Sequence, residues 1–113
     1  MRMIFAGFAA LALTSAAQAQ DDAEASILTE LGEPYVSASV ENGARIFRRC
    51  QSCHTVDEGG RNMVGPNLHG VFGAEAGAKE GFRYSPAMSE SGIVWSAETL
   101  DGYLANPREY IPR

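Results

Sequence analysis

The amino-acid sequence predicts an all-α, loop-rich domain organised around a large ligand. Three observations carry that expectation. Helix signals come as short runs, each with its own cap, while the period-2 alternation of a half-buried strand is weak throughout. Twelve glycines and five prolines among 113 residues commit much of the chain to turns and loops. Seven of those glycines, at positions 59, 60, 65, 70, 73, 77 and 81, fall between Thr55 and Tyr84, where no period of 2 or 3.6 persists. A loop of that length inside a compact domain needs something other than protein to organise it, and a chain this short has little core of its own.

The elements follow in order. Met1 to Ala19 reads as a secretory signal: Arg2 is the positive start, Ile4 to Leu13 is an unbroken run of apolar and small residues, and Ala17-Gln18-Ala19 is a small-x-small cleavage site. As an uncleaved anchor the apolar run is too short to span a bilayer comfortably. Cleavage after Ala19 leaves an exported, acidic protein. Residues 20–38 form an acidic N-terminal extension; Ile27, Leu28 and Leu31 stand at helical spacing, enough for one marginal turn in a solvated lead-in. Residues 39–113 form the domain proper. Ser39 caps a helix with Val40, Ala44 and Phe47 on one stripe, ending at the cysteines.

After the long loop, Ser85-Pro86 is an N-cap followed by a proline suited to the first helical position. Gly92 closes that short helix. Ser96 caps a better one with Ala97, Leu100 and Leu104 on one face, and Asn106-Pro107 both ends it and starts a further turn through Tyr110. Charge narrows the function classes. Nine Lys+Arg stand against fourteen Asp+Glu, a net charge of −5, so nucleic-acid binding has no electrostatic support.

The chemistry sits at Cys50-Gln51-Ser52-Cys53-His54, which fits the C-x-x-C-H pattern of c-type haem attachment. Two thiols three positions apart, on a chain leaving a helix, can reach the two vinyl groups along one porphyrin edge. The next residue then lies under the ring, where an imidazole can take an axial position on iron. Three other readings use the same residues. A thioredoxin-like pair needs a preceding strand and a βαβ pattern. A zinc site needs four ligands, and only His69 remains as a second imidazole. A structural disulfide suits an exported protein but leaves His54 and the glycine-rich loop unexplained.

From Gly43 onward the sequence resembles class I cytochrome c, in particular the bacterial c2-type proteins. The resemblance is carried by Cys50-Gln51-Ser52-Cys53-His54-Thr55-Val56 and by Gly65-Pro66-Asn67-Leu68-His69-Gly70-Val71-Phe72-Gly73. It continues through Gly81-Phe82-Arg83-Tyr84-Ser85, Gly92-Ile93-Val94-Trp95 and Tyr103-Leu104-Ala105-Asn106-Pro107-Arg108-Glu109-Tyr110-Ile111-Pro112. These stretches run in family order at near-family spacing. The resemblance implies the class I cytochrome c fold, with short helices and long loops wrapped around one haem c. Cys50 and Cys53 would form its thioethers, and His54 would be the proximal iron ligand. The Pro66 carbonyl would accept a hydrogen bond from the other imidazole nitrogen, which orients the ring and raises its basicity. Tyr84 and Trp95 would serve a haem propionate; Leu68, Tyr103 and Leu104 would wall the pocket.

The implied function is a periplasmic monohaem electron carrier, not an enzyme. It would be monomeric and meet membrane-bound or periplasmic redox proteins transiently. Three departures from the family stand out. The family continues from Ile-Pro as I-P-G-T-K-M, whose methionine is the distal ligand and which leads to a C-terminal helix; the sequence here reads Ile111-Pro112-Arg113. The expectation is therefore a C-terminally truncated domain, either a fragment or a short form whose open iron site acts as a weak peroxidase or small-ligand binder. Met63, Met88, His69 and Lys79 are other side chains able to ligate iron, and none is assigned. Ala74 stands where the family commonly has an arginine near a propionate. Lys79 is the chain's one lysine, with Arg45, Arg48, Arg49 and Arg61 the basic residues nearest the haem motif in sequence.

Overall fold

The computed structural model describes residues 15–113. Most of the expected signal segment, residues 1–14, lies outside the described residues. The chain divides into two compact units, Met1–Ala38 and Ser39–Arg113. In the first, helix α1 spans Ser15–Leu31, where the sequence suggests one marginal turn. The periodic pattern is weak because no residue of α1 is buried. Intrinsic propensity supplies what burial does not: Ala16, Ala17, Ala19, Ala23 and Ala25 are the best helix formers, and no glycine or proline intervenes before Gly32. Gly32 ends the helix at φ +71°, a left-handed conformation glycine adopts without steric cost. A 3₁₀ turn over Tyr35–Ser37 then contacts α1. The expected cleavage point after Ala19 falls within α1.

In the second unit, α2 spans Val40–Phe47 and Ser39 caps it, its hydroxyl accepting from the Asn42 amide at 3.1 Å. The helix stops three residues short of Cys50. Single turns carry the chain onward: the Cys50 and Gln51 amides bond to the Phe47 carbonyl at 2.8 and 3.2 Å, and those of Cys53 and His54 to the Cys50 carbonyl at 3.0 and 2.9 Å. The stretch from Thr55 to Tyr84 is irregular, as expected. An isolated antiparallel bridge between Glu75 and Val94 ties its later part down. Around it Gly73 bonds to Trp95, Trp95 to Ala74, and Ala76 to Ile93, at 2.7 to 2.9 Å.

Helix α3 spans Pro86–Ser89, with Pro86 at its start and the Ser85 hydroxyl accepting from the Met88 amide at 3.2 Å. Ser91 Oγ closes it by donating to the Met88 carbonyl at 2.9 Å, and Gly92 follows at φ +67°. Helix α4 spans Ala97–Ala105 behind a reciprocal cap: Ser96 N donates to Thr99 Oγ1 at 2.7 Å, and Thr99 N to Ser96 Oγ at 3.2 Å. Asn106 caps α5, Pro107–Tyr110, and the Tyr110 ring packs on Gly102 of α4. Among the described residues Ala76 and Trp95 are the buried apolar side chains, and no side chain is buried completely. An all-α chain with so little protein core matches the architecture expected from sequence.

Candidate functional site

The site is built on two segments laced side by side. One is the turn Cys50–Thr55; the other is Gly65–Leu68. Two backbone bonds frame it, Gly65 N to the Cys53 carbonyl at 2.9 Å and Leu68 N to the Thr55 carbonyl at 2.8 Å. Between them His54 Nδ1 meets the Pro66 carbonyl at 2.7 Å. A carbonyl only accepts, so Nδ1 carries a proton and donates; in the neutral ring the lone pair then lies on Nε2. The acceptor can come this close because residue 65 is glycine. A Cβ there would collide with the His54 ring, lying 2.6 Å from Nε2.

Cys50, Cys53 and His54 are all half-buried on this turn, and the two thiols are not bonded to each other. Their chemistry suits a porphyrin. Two free sulfurs one turn apart can each bond a vinyl carbon, and an imidazole of fixed tautomer offers its second nitrogen to a metal. The competing readings find less here. Among the described residues no group of three or more His, Cys, Asp or Glu is arranged to hold a metal ion. The extended pairing that a thioredoxin-like motif needs is limited, in the same residues, to the Glu75–Val94 bridge.

The remaining sequence-named residues lie elsewhere in the second unit. Trp95 is 6 % exposed, and its ring meets Tyr103 edge-on with centroids 5.2 Å apart. Tyr103 also lines a small cavity, about 160 Å³, with Ser85, Met88 and Ile111 among its neighbours. Tyr84 has its own ring partner, Phe82, at 4.9 Å. Burial raises the Tyr84 phenol above its ordinary pKa, and the nearby Lys79 backbone partly offsets this. Leu68 is half-buried, whereas Leu104 is 68 % exposed and presents an apolar side chain on α4.

A polar network joins the residues that follow His54 and Pro66, and nothing in the sequence pattern marks it. Asn67 is 4 % exposed. Its Nδ2 donates to Thr55 Oγ1 at 2.8 Å and to the Asp57 carbonyl at 2.9 Å, and Thr55 Oγ1 donates to the Arg61 carbonyl at 2.7 Å. The Asn67 amide donates to Asn62 Oδ1 at 2.9 Å. A polar residue between Pro66 and Leu68 has no periodic signal, so only its partners reveal it.

The sequence model of the family described as Cytochrome c matches residues 40–110, from the first residue of α2 to the last of α5. The chain is 46% identical over 80 residues to a cytochrome c of Kluyveromyces lactis, covering 70% of this chain and 73% of the relative. It is 49% identical over 73 residues to cytochrome c-550 of Ancylobacter novellus, covering 62% and 68%. Against cytochrome c2 of Afifella marina it is 46% identical over 77 residues, covering 66% and 62%.

Proposed function

The chain belongs to the cytochrome c family, and from that premise we propose that this electron-carrier haem protein works as a periplasmic monohaem shuttle between redox complexes. Haem c, the family's covalently attached cofactor, supplies when bound an iron that cycles between ferric and ferrous and so takes or gives one electron. The chain's residues do the rest. Cys50 and Cys53 would hold the group as thioethers. His54, its Nδ1 engaged by Pro66, would offer Nε2 to the iron. The Pro66 carbonyl accepts the hydrogen bond from Nδ1 and holds the imidazole in one orientation.

Tyr84 and Trp95 serve a propionate with their polar tips, and Leu68, Tyr103 and Leu104 exclude water from the ring. Partners are redox proteins, membrane-bound or periplasmic, met through a small and brief interface by a monomeric carrier. Their charges set encounter rate more than affinity. The leader-like pattern Met1–Ala19 and the similarity to bacterial cytochromes c-550 and c2 support export.

The observation that carries this reading is the His54 Nδ1–Pro66 contact at 2.7 Å on the same turn as two unlinked thiols. The test is expression of the full sequence with a c-type maturation system. The expected result is haem stain that survives denaturation, lost in the double variant Cys50→Ala, Cys53→Ala, and a periplasmic protein whose N-terminus is Gln20. Absence of covalent haem overturns the carrier reading; a cytoplasmic, unprocessed product overturns the location.

A further inference from the structure

Lys79 is the chain's one lysine, and its ammonium binds two neutral oxygens. It donates to Asn67 Oδ1 at 2.7 Å and to the His69 carbonyl at 2.9 Å. Asn67 Oδ1 accepts a second bond, from His69 N at 3.1 Å. A lysine ammonium has only donors, so it fixes which end of the Asn67 amide is oxygen. The nitrogen end must then face Thr55 Oγ1 and the Asp57 carbonyl, as it does. Both lone pairs of Oδ1 and both hydrogens of Nδ2 are thereby used inside a nearly buried side chain.

The position of this amide matters for His54. Thr55 follows His54 in the chain, and Asn67 follows Pro66, so the Asn67–Thr55 bond runs beside the His54–Pro66 bond and pins the same two segments. The peptide group joining Pro66 to Asn67 is held at both ends. Its carbonyl accepts from His54 Nδ1, and its N–H donates to Asn62 Oδ1. Asn62 Nδ2 in turn donates to the Gly81 carbonyl at 3.1 Å, two residues beyond Lys79. Two straps therefore tie this peptide to the segment around residues 79–81, and the one through Lys79 is charge-assisted, roughly twice as strong as a neutral bond. Connected bonds of this kind also polarise one another.

We propose that Lys79 is a positioning residue for His54: by clamping Asn67 it holds the Pro66–Asn67 peptide in place as acceptor of the hydrogen bond from Nδ1, and so sets the orientation of the imidazole. This rests on the reading of His54 as the iron ligand. In the ferric holoprotein the iron shifts the His54 Nδ1 proton clear of other NMR signals, and its exchange with solvent deuterium reports the bond directly. Lys79→Met is expected to speed that exchange about tenfold, the effect of losing one charge-assisted support. The Trp95 amide, bonded to the Ala74 carbonyl outside this network, should keep its rate. Lys79→Arg, which retains a cationic donor, should restore slow exchange. Should Lys79→Met fail to fold, Lys79→Gln gives the same change to a smaller degree. Equal acceleration of the Nδ1 proton and the Trp95 amide, or of neither, overturns the positioning role. A wild-type holoprotein with no iron-shifted His54 proton overturns the ligand reading instead.

Discussion

Helix α1 runs for 17 residues and buries none of them, whereas the segment from Cys50 to Tyr84 contains no helix yet holds the buried Asn67 and Ala76. The irregular segment also carries side-chain hydrogen bonds that reach far along the sequence, from His54 to Pro66, Asn62 to Gly81, and Lys79 to Asn67. Within α1 the backbone partners lie four residues apart, and alanine propensity supports that ladder with no buried side chain, its tertiary contact being the 3₁₀ turn that follows. The loop mixes local turns with bonds that reach a dozen residues or more, Gly65 to Cys53, Leu68 to Thr55, Gly73 to Trp95 and Ala76 to Ile93, and each of these long-range bonds fixes the position of a distant segment. Regular structure and specified geometry are thus different properties, and the chemistry stands where the second is found.

The largest effect is expected at Gly65. Gly65→Val places carbon atoms where the His54 ring lies, and the expected cost is about 3 kcal/mol, the upper part of the usual overpacking range. Denaturant unfolding of the holoprotein measures it, together with loss of the iron-shifted His54 proton. A neutral outcome would mean the ring moves aside freely and the loop is not specified as described. Asn67→Ala comes next. It strips the Thr55 and Asp57 oxygens of a donor and leaves Lys79 with one acceptor, at an expected cost of about 2 kcal/mol, read by the same unfolding experiment.

Ala23→Gly tests the exposed helix. It should cost α1 about 1 kcal/mol, seen by circular dichroism as reduced helical signal; an unchanged signal would mean that something besides propensity holds α1. The smallest effect concerns Tyr84. Burial raises its pKa in the folded protein above the ordinary 10.0, so the folded state keeps the phenol proton at pH values where the unfolded chain has released it. The contribution is complete below about pH 10 and is lost as pH rises through the raised value. Urea unfolding between pH 8 and 11 should therefore show a shallower alkaline decline for Tyr84→Phe than for the wild type.

Much of this molecule is legible in its residues alone. The caps Ser39, Ser85, Ser96 and Asn106 and the prolines beside them mark helix starts correctly, because capping depends on a few adjacent residues. The C-x-x-C-H run and the Gly65–Gly73 stretch point to a covalent haem. Apolar periodicity underestimates the length of α1, because an exposed helix has no apolar stripe and only propensity reveals its extent. The network of Thr55, Asn62, Asn67 and Lys79 is not legible at all, since its members lie up to two dozen positions apart and obey no period.

What is local or covalent can be read from residue order: the capped helices, the glycines that permit left-handed turns, the spacing of two thiols and an imidazole, and through them the family and its cofactor. How Asn67 braces the peptide that accepts the His54 hydrogen bond, why residue 65 must lack a side chain, and where the single lysine places its charge emerge from the folded arrangement. Those outcomes depend on which distant segments meet, and a hydrogen bond between segments records its partner in space and not in sequence order.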